Sequence, residues 1–483
     1  MYATLATSQR RIERRVAPPA LEPTAVQQRA VELMMRDRWT RAQLVAHQER
    51  KMRDMLRNAV KASPYYRDTI GHLVAREAPL KDFPVLTKKD LVANFDRIVT
   101  DRRLRQTDIE QHLAGERAGD LMFGQYRACA TGGTSGVRAV IVYDQTAWAN
   151  AAANAVRSLR TAGVTAEARL IGIGAPTPQH FSCRIYEEMR FGRSAVPRLY
   201  VTTPLPEIVA ALNEFQPDAI ATYPSFIRRL AEEQMEGRLK ISVKRFCSSA
   251  EALMPDVRDL ALQVWGATIS NRFAATEMGM AGSECEHFSG MHLPEDLVAF
   301  EAVDENYRKV PSGVPGSRLL ITTLTNSVLP LIRYELSDGV TVTDAPCPCG
   351  RPHARITSIE GRREHVLKFP KRGGGHVDIH AFRLSSHLIG MPGVSQYQLV
   401  PGPDDLCVRL SLRRGVPEAE TRAAVERKIH SVLNELGAET PVTVEIVKEI
   451  ERTGTGAKAN LVARREAATG PAHLPAMDGA LHW

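Results

Sequence analysis

No apolar run in the chain is long enough to span a bilayer, so a helical membrane protein is not expected. Residues 1–19 carry arginines but no apolar stretch behind them, which argues against a secretory signal and makes the cytoplasm the expected setting. Cysteine is sparse: the seven, at 129, 183, 247, 285, 347, 349 and 407, are odd in number and do not form a disulfide framework. Basic residues cluster only briefly, at Lys368, Lys371 and Arg372 and at Arg409, Arg413 and Arg414, which excludes a dedicated nucleic-acid surface. The net charge of +8 is mild for 483 residues and can steer anionic ligands. Neither a Walker A ending (Gly-Lys-Ser/Thr) nor a GxGxxG fingerprint occurs, and no internal repeat is visible.

What is present suffices for more than one core. The chain is 43% hydrophobic and 24% charged, and its length predicts two or three domains. Residues 23–62 read as helix, with Val31, Met34, Met35, Leu44, Met52 and Leu56 at helical spacings and Ser63-Pro64 as the stop. Thr87 is placed to cap a second helix bearing Leu91 and Val92. Short apolar runs at 169–174, 219–222 and 243–249 then alternate with helical stretches at 225–236 and 255–262, the pattern of a parallel sheet flanked by helices. Strands are predicted at 298–303, 318–323 and 339–343, then at 397–400, 406–412 and 442–448 around a helix over 418–436. The reading is an α/β protein: a large multi-sheet domain over 1–359, a small mobile α+β domain over 360–465, and a flexible tail over 466–483.

Residues 131–136 read Thr-Gly-Gly-Thr-Ser-Gly. Gly132, Gly133 and Gly136 permit close backbone approach, and Thr131, Thr134 and Ser135 add hydroxyl donors, so this turn can aim several N–H groups at an anion. The strand-like run after it makes the segment a hairpin. Downstream, Glu277 in Ala-Thr-Glu-Met-Gly can hold a magnesium ion beside phosphate oxygens. Asp338, after the apolar run 330–336, can accept both hydroxyls of a ribose.

In this order the motifs resemble the phenylacetate–coenzyme A ligase branch of the acyl-adenylate-forming (AMP-binding) enzymes, over most of residues 50–462. The resemblance implies that 131–136 closes on the ATP phosphates and that Ser249, Ala250 and Glu251 line the adenine. It implies that Thr276 touches the α-phosphate, Glu277 holds magnesium and Asp338 binds the ribose. Arg362, in the hinge signature Ile359-Glu-Gly-Arg362, helps place the nucleotide, and Lys458 becomes the catalytic lysine of the C-terminal loop. The chain departs from the family pattern in three places. Ala457 separates Gly456 from Lys458, which leaves Lys448 as an alternative. The hinge offers Glu364 or His365 as pivot in place of Asp, and residues 371–380 carry His376 and His380 in place of an aromatic–Pro end. The implied activity is ATP-dependent activation of a small acid with release of pyrophosphate, followed by transfer to coenzyme A or another thiol or amine. Two alternatives stand beside it: diazotisation of an aromatic amine through activated nitrite, and a catalytically silent nucleotide-binding interaction protein. The assembly is left open, with a homodimer as one state.

Two further groups of residues carry chemistry. Cys347 and Cys349 form a Cys-x-Cys turn, and Cys285 and His287 lie in a turn-rich segment some sixty residues earlier, with His292 competing for the imidazole position. Three thiolates and one imidazole make a tetrahedral set for a structural zinc ion. The acid pocket is assigned to Phe181, Tyr223, Pro224, Phe226, Phe273 and Ala274, whose aromatic rings favour a small aromatic acid. Tyr223 and Pro224 follow a strand of the α/β region, where ligand crevices form.

Overall fold

The structure is a computed structural model that describes residues 23–131, 139–177, 179–188, 190–191, 194–195, 198–362, 366–371, 373–388, 391–413, 415–450 and 461–463. These residues form two compact units, one ending at 362 and one beginning at 366.

The larger unit opens with helices α1 (Pro23–Arg36), α2 (Arg41–Ala62), α3 (Pro64–Ala75), α4 (Lys88–Ile98) and α5 (Gln106–Ala114). The stretch that reads as one helix over 23–62 is therefore two. Thr40 starts α2 with a capping box: its hydroxyl accepts from the Gln43 N–H, and the Gln43 side chain accepts from the Thr40 N–H. Ser63 closes α2 and caps α3, with Pro64 in the first helical position, and Thr87 caps α4 together with Asp90.

Next come the antiparallel hairpin of β1 (Arg127–Ala130) and β2 (Val140–Tyr143), and α6 (Gln145–Thr161). Strands and helices then alternate as expected: β3 (Leu170–Gly174), α7 (Phe181–Glu188), the short β4 (Arg190–Phe191) and β5 (Ser194–Ala195), β6 (Arg198–Tyr200), and α8 (Leu205–Phe215). They continue with β7 (Ala219–Thr222), α9 (Pro224–Met235), β8 (Arg245–Ser249), α10 (Pro255–Trp265) and β9 (Thr268–Ala275). The remainder is strand-rich: β10 (Gly279–Glu284), β11 (Met291–His292), β12 (Val298–Val303), β13 (Pro315–Gly316), β14 (Arg318–Thr323), β15 (Tyr334–Leu336), β16 (Asp338–Thr343) and β17 (Arg355–Arg362).

Ten of these strands make one sheet in the order β13-β16-β17-β11-β10-β9-β8-β7-β3-β6. Neighbours run parallel from β6 to β9 and antiparallel from β9 to β13. Alternate residues of the parallel strands feed different cores, as a period of two requires. Leu170, Ala219, Ala221 and Cys247 pack with Trp148 and Leu159 of α6. Ile171, Ile220 and Phe246 pack with Ile208, Phe226 and Leu230 of α8 and α9. Strands β12, β14 and β15 form a second, antiparallel sheet.

The smaller unit is α+β: β18 (Val366–Pro370), β19 (His376–His380), α11 (Ala381–Leu388), β20 (Val394–Pro401), β21 (Leu406–Leu412), α12 (Glu418–Glu435) and β22 (Val442–Ile446). Strands β18 and β19 pair as a hairpin, and β20-β21-β22 form a sheet whose last pair is parallel. Leu384, Leu399, Val408, Val425, Ile429 and Leu433 fill its core. Among the described residues no helix is long and apolar enough to cross a membrane.

A buried charge cluster ties the first helices to the sheet. Asp296, 1% exposed, accepts from both ends of the Arg157 guanidinium at 3.0 and 3.2 Å and from Arg36 at 3.2 Å. Beside it His353 Nε2 lies 3.1 Å from Asp37, and Arg41 donates to Glu295 at 3.0 Å. Burial alone would raise the Asp296 pKa, but Arg157, His353 and Arg36 outweigh it and hold the carboxyl at about 2. The ordinary aspartate pKa is about 3.9. The folded value is thus depressed, and the stability it contributes is complete above pH ~4 and is lost as pH falls toward about 2. Removing one partner of a buried pair typically costs ~3–5 kcal/mol. Asp296→Asn is expected to destabilise the large unit by about that much at pH 7 in urea unfolding, with the gap to wild type narrowing between pH ~4 and ~2.

Candidate active site

The segment Thr276–Glu277 lies in the turn between β9, the last parallel strand, and β10, its first antiparallel neighbour. Two buried tyrosines grip this turn. Tyr143, at the end of β2, donates its hydroxyl to the Thr276 carbonyl at 2.5 Å. Tyr334, at the start of β15, donates to Glu277 Oε1 at 3.1 Å. Tyr334 is itself fixed by backbone pairing on either side, with Leu86 N–H donating to the Arg333 carbonyl at 3.1 Å and Glu335 N–H to the Leu86 carbonyl at 3.0 Å. Glu277 is 7% exposed, and among the described residues no cation pairs with its carboxylate.

Gly279 completes the turn in the left-handed region, at φ 76°. A Cβ there would lie 2.8 Å from the Phe181 ring, so the turn and the first residue of α7 touch through the missing side chain. Phe181 also packs on Tyr143 and Trp148, with ring centroids 5.7 and 5.3 Å apart. Thr131 and Ala139 bracket the Gly-rich segment: the Thr131 N–H donates to the Ala139 carbonyl at 2.9 Å, and its hydroxyl accepts from the Ala139 N–H at 3.1 Å. Gly132, Gly133, Thr134, Ser135 and Gly136 lie outside the described residues, as does Lys458.

The remaining site residues separate into those near the turn and those removed from it. Ser249 ends β8, Ala250 takes φ 72°, and the Glu251 carboxylate accepts from the Ser225 N–H at 3.1 Å, over the N-terminus of α9. Asp338 opens β16 and faces Arg362 across the β16–β17 register; the Arg362 side chain is outside the described set. Tyr223 caps α9, with Pro224 at its first position. Phe273 is half-buried and Ala274 exposed. Phe226 corrects its pocket assignment: it is 1% exposed and belongs to the core on the opposite face of the sheet from Phe181. Its place one turn into α9 points it at Leu230 and Phe246 rather than at the strand ends.

The cysteine cluster forms, with a different histidine. Cys285, Cys347, Cys349 and His292 bring their four donor atoms within 4.8 Å of one another. Cys285 and Cys347 sulfurs are 3.8 Å apart, and His292 Nε2 is 3.3 Å from Cys349 Sγ. His287 is exposed and outside the set. His292 gains its place because β11 pairs with both β10 and β17, which carries residue 292 to Ser283 and Arg355. Burial, reinforced by Arg351, His353 and Arg355, pushes His292 down to about 4, so it is neutral near pH 7 as a metal ligand must be. Burial pushes the Cys285 thiol up to about 12. Burial acts the same way on Cys347 but is outweighed by the Ser289 hydroxyl and the neighbouring thiols, and its pKa goes down.

No family model matches the chain. Individual relatives do. A phenylacetate-coenzyme A ligase from Thermus thermophilus is 30% identical over 200 residues, 40% of this chain and 44% of that enzyme, so the match spans less than half of the relative. One from Escherichia coli is 26% identical over 447 residues, 85% of this chain and 93% of that enzyme. Among solved structures, 2-hydroxyisobutyryl-CoA ligase in its postadenylation state shares the fold, with TM-score 0.70 at 20% identity over 89% of this chain and 91% of that one. This chain is similar to phenylacetate-coenzyme A ligases, over 85% of its length in the Escherichia coli case, and has the fold of 2-hydroxyisobutyryl-CoA ligase.

The sequence motifs mark the turn but not what holds it. Tyr143 and Tyr334 are absent from the sequence-based assignment. The one available signal is that each ends or begins an apolar run bordering a motif, and many core tyrosines do the same. Gly279 joins them as a constraint. A side chain at φ 76° costs ~1–3 kcal/mol in strain, and the Phe181 ring adds overpacking. Gly279→Ala is expected to lower stability by about 1–3 kcal/mol in denaturant unfolding, and a Phe181→Leu partner substitution to recover part of it non-additively.

Proposed function

We propose that this protein activates a small carboxylic acid with ATP, forming the acyl-adenylate and releasing pyrophosphate. The observation that carries the reading is Glu277: a buried carboxylate, positioned by Tyr334, with no cation beside it among the described residues, on a turn that Tyr143 ties to the hairpin bracketing the Gly-rich segment. A carboxylate of this kind suits a magnesium ion brought in with ATP. When bound, that ion neutralises part of the charge that develops on the phosphoryl oxygens.

The chain's own groups supply the rest. Backbone N–H groups of residues 131–136 hold the departing pyrophosphate, and Thr276 contacts the α-phosphate. Ser249, Ala250 and Glu251 border the adenine, Asp338 accepts from the ribose hydroxyls and Arg362 orients the nucleotide. The acid lies against Phe181, Tyr223, Phe273 and Ala274. Lys458 bridges the attacking carboxylate and the α-phosphate as a strongly hydrated ammonium on a long stem. The attacking oxygen is already ionised, so no general base is needed, and catalysis is positioning plus charge stabilisation. Coenzyme A is the acceptor we favour, the larger unit serving nucleotide and acid. Four donors kept as free thiols and imidazole suit the reducing cytoplasm.

Two measurements test this reading. Exchange of labelled pyrophosphate into ATP is expected to rise with small aryl acids more than with fatty acids or amino acids; AMP formation driven by nitrite alone would replace adenylation of an acid with diazotising chemistry. Within that assay Lys458→Ala is expected to lower kcat by about 100- to 1,000-fold, the worth of one oxyanion-type contact, with Lys448→Ala near wild type. Retention of more than about a third of kcat would remove Lys458 from the step.

We further propose that Cys285, His292, Cys347 and Cys349 hold one structural zinc ion. Zinc–sulfur bonds of about 2.3 Å in a tetrahedron put sulfurs about 3.8 Å apart, and the Cys285–Cys347 separation is 3.8 Å. Protein purified without added metal is expected to contain close to one zinc per chain by elemental analysis. His292→Ala should lower that content and His287→Ala leave it unchanged. Zinc near zero, with thiols titrating freely in the native state, would refute the site.

A further inference from the structure

Arg272 is a buried charge that the adenylation reading does not use. It sits on β9 one residue before Phe273 and pairs in register with Ser249 of β8, so it lies between two segments already assigned to ligand. Only 3% of its surface is exposed. Its Nη2 donates to the Tyr186 hydroxyl at 3.3 Å and to the Cys247 carbonyl at 3.2 Å, and its Nε has no partner. Among the described residues no carboxylate pairs with it. Arg157, Arg318 and Arg333, as deeply buried, each meet one, Asp296, Glu335 and Glu301, whereas Arg355 is satisfied by Ser289 and by backbone carbonyls at several of its nitrogens. A buried cation without a counter-charge is unfavourable unless a ligand supplies the anion.

Tyr186 connects Arg272 to a second, half-buried cation. The Arg198 guanidinium lies 5.8 Å from the Tyr186 ring centre and, among the described residues, donates to the backbone carbonyls of Ala175, Ser182 and Cys183 and meets no carboxylate. Gly174 lies beside Arg198 and Tyr223. A Cβ there would be 3.5 Å from Arg198 Nη2 and 3.8 Å from the Tyr223 hydroxyl. Arg272, Tyr186, Arg198 and Tyr223 thus form one wall that carries two positive charges, two tyrosine hydroxyls and no acid. It runs from the residue preceding Phe273 to Tyr223, the two ends of the acid pocket.

We propose that this wall is an anion subsite of the acid pocket, and that the substrate is a small dicarboxylic acid whose second carboxylate pairs with Arg272. The inference rests on the adenylation reading and adds the substrate class. One carboxylate oxygen forms the bond to the α-phosphorus as the bond to pyrophosphate breaks. The second carboxylate stays ionised and gains or loses no proton; its charge offsets that of the guanidinium. Discrimination is strong for the reason that a site built for a polar partner rejects an analogue lacking it: the buried donor is left unpaired.

The test is pyrophosphate–ATP exchange by the full chain with matched pairs of acids: benzoate against isophthalate and phthalate, butyrate against succinate. The diacid is expected to exceed its monoacid by at least tenfold in kcat/KM. Arg272→Met should bring that ratio close to one, and Arg272→Lys, which keeps the charge but not the fork, should retain a diacid preference with a higher KM. If Arg272→Met does not fold, the wild-type ratio and the Lys variant still decide. Monoacids equal to or better than diacids in the wild type would overturn the subsite and leave adenylation standing. No exchange with any acid would overturn the adenylation reading itself, and the subsite with it.

Discussion

A carboxylate that is buried, aimed and, among the described residues, without a cationic partner is the constraint around which the larger unit is arranged. Glu277 needs a fixed position, and its turn has little of its own to hold it. The fixing comes from residues far away in sequence, Tyr143 on one side and Tyr334 on the other. Each tyrosine is in turn locked by its own layer: Tyr143 by packing on Trp148 and Phe181, Tyr334 by strand pairing with Leu86. The site sits where the parallel half of the sheet gives way to the antiparallel half. Ligand crevices of open α/β sheets form beyond the carboxyl ends of the parallel strands, and Tyr223, Ser249 and Thr276 all follow such ends.

The strand carrying this turn holds a second charge of the opposite sign. Arg272 and Glu277 are five residues apart, both buried, and neither meets an oppositely charged side chain among the described residues. Several other buried charges in the same unit are matched closely, as at Asp296 and Arg157. The difference separates two uses of buried charge. Matched pairs join elements; unmatched ones are free to bind, and they lower stability until they do so.

Much of this organisation was legible in the sequence, for identifiable reasons. The alternation of apolar runs with helical stretches fixes β3, β7 and β8 nearly to the residue, because buried parallel strands are continuous apolar runs. The β1–β2 hairpin, the cap at Thr87 and most of the smaller unit follow from local signals of the same kind. The break at Thr40 was missed although Thr-x-x-Gln is a capping-box signature, because the apolar spacing continues across it. The choice of His292 over His287 and the burial of Phe226 were not legible at all. Both depend on which strand lies beside which, a fact of pairing rather than of spacing. The two tyrosines behind Glu277 were hidden for the same reason.

The charge cluster at Asp296 also has a bearing on how the protein is made. Arg36 and Arg41 find their carboxylates about 250–260 residues further along the chain, and α1 lies against α6, well over a hundred residues downstream. At a synthesis rate of about 5–20 residues per second, the first helix waits roughly 13–50 s on the ribosome before Asp296 emerges. Until α6 has emerged, Leu33, Ala30 and Val26, which end up buried, have no permanent cover. The nascent chain therefore presents an amphipathic helix to chaperones before α6 can cover it, and the charge contacts that fix that helix close only once Asp296 has emerged, after residues 131–136, 249–251 and 276–277 have been made.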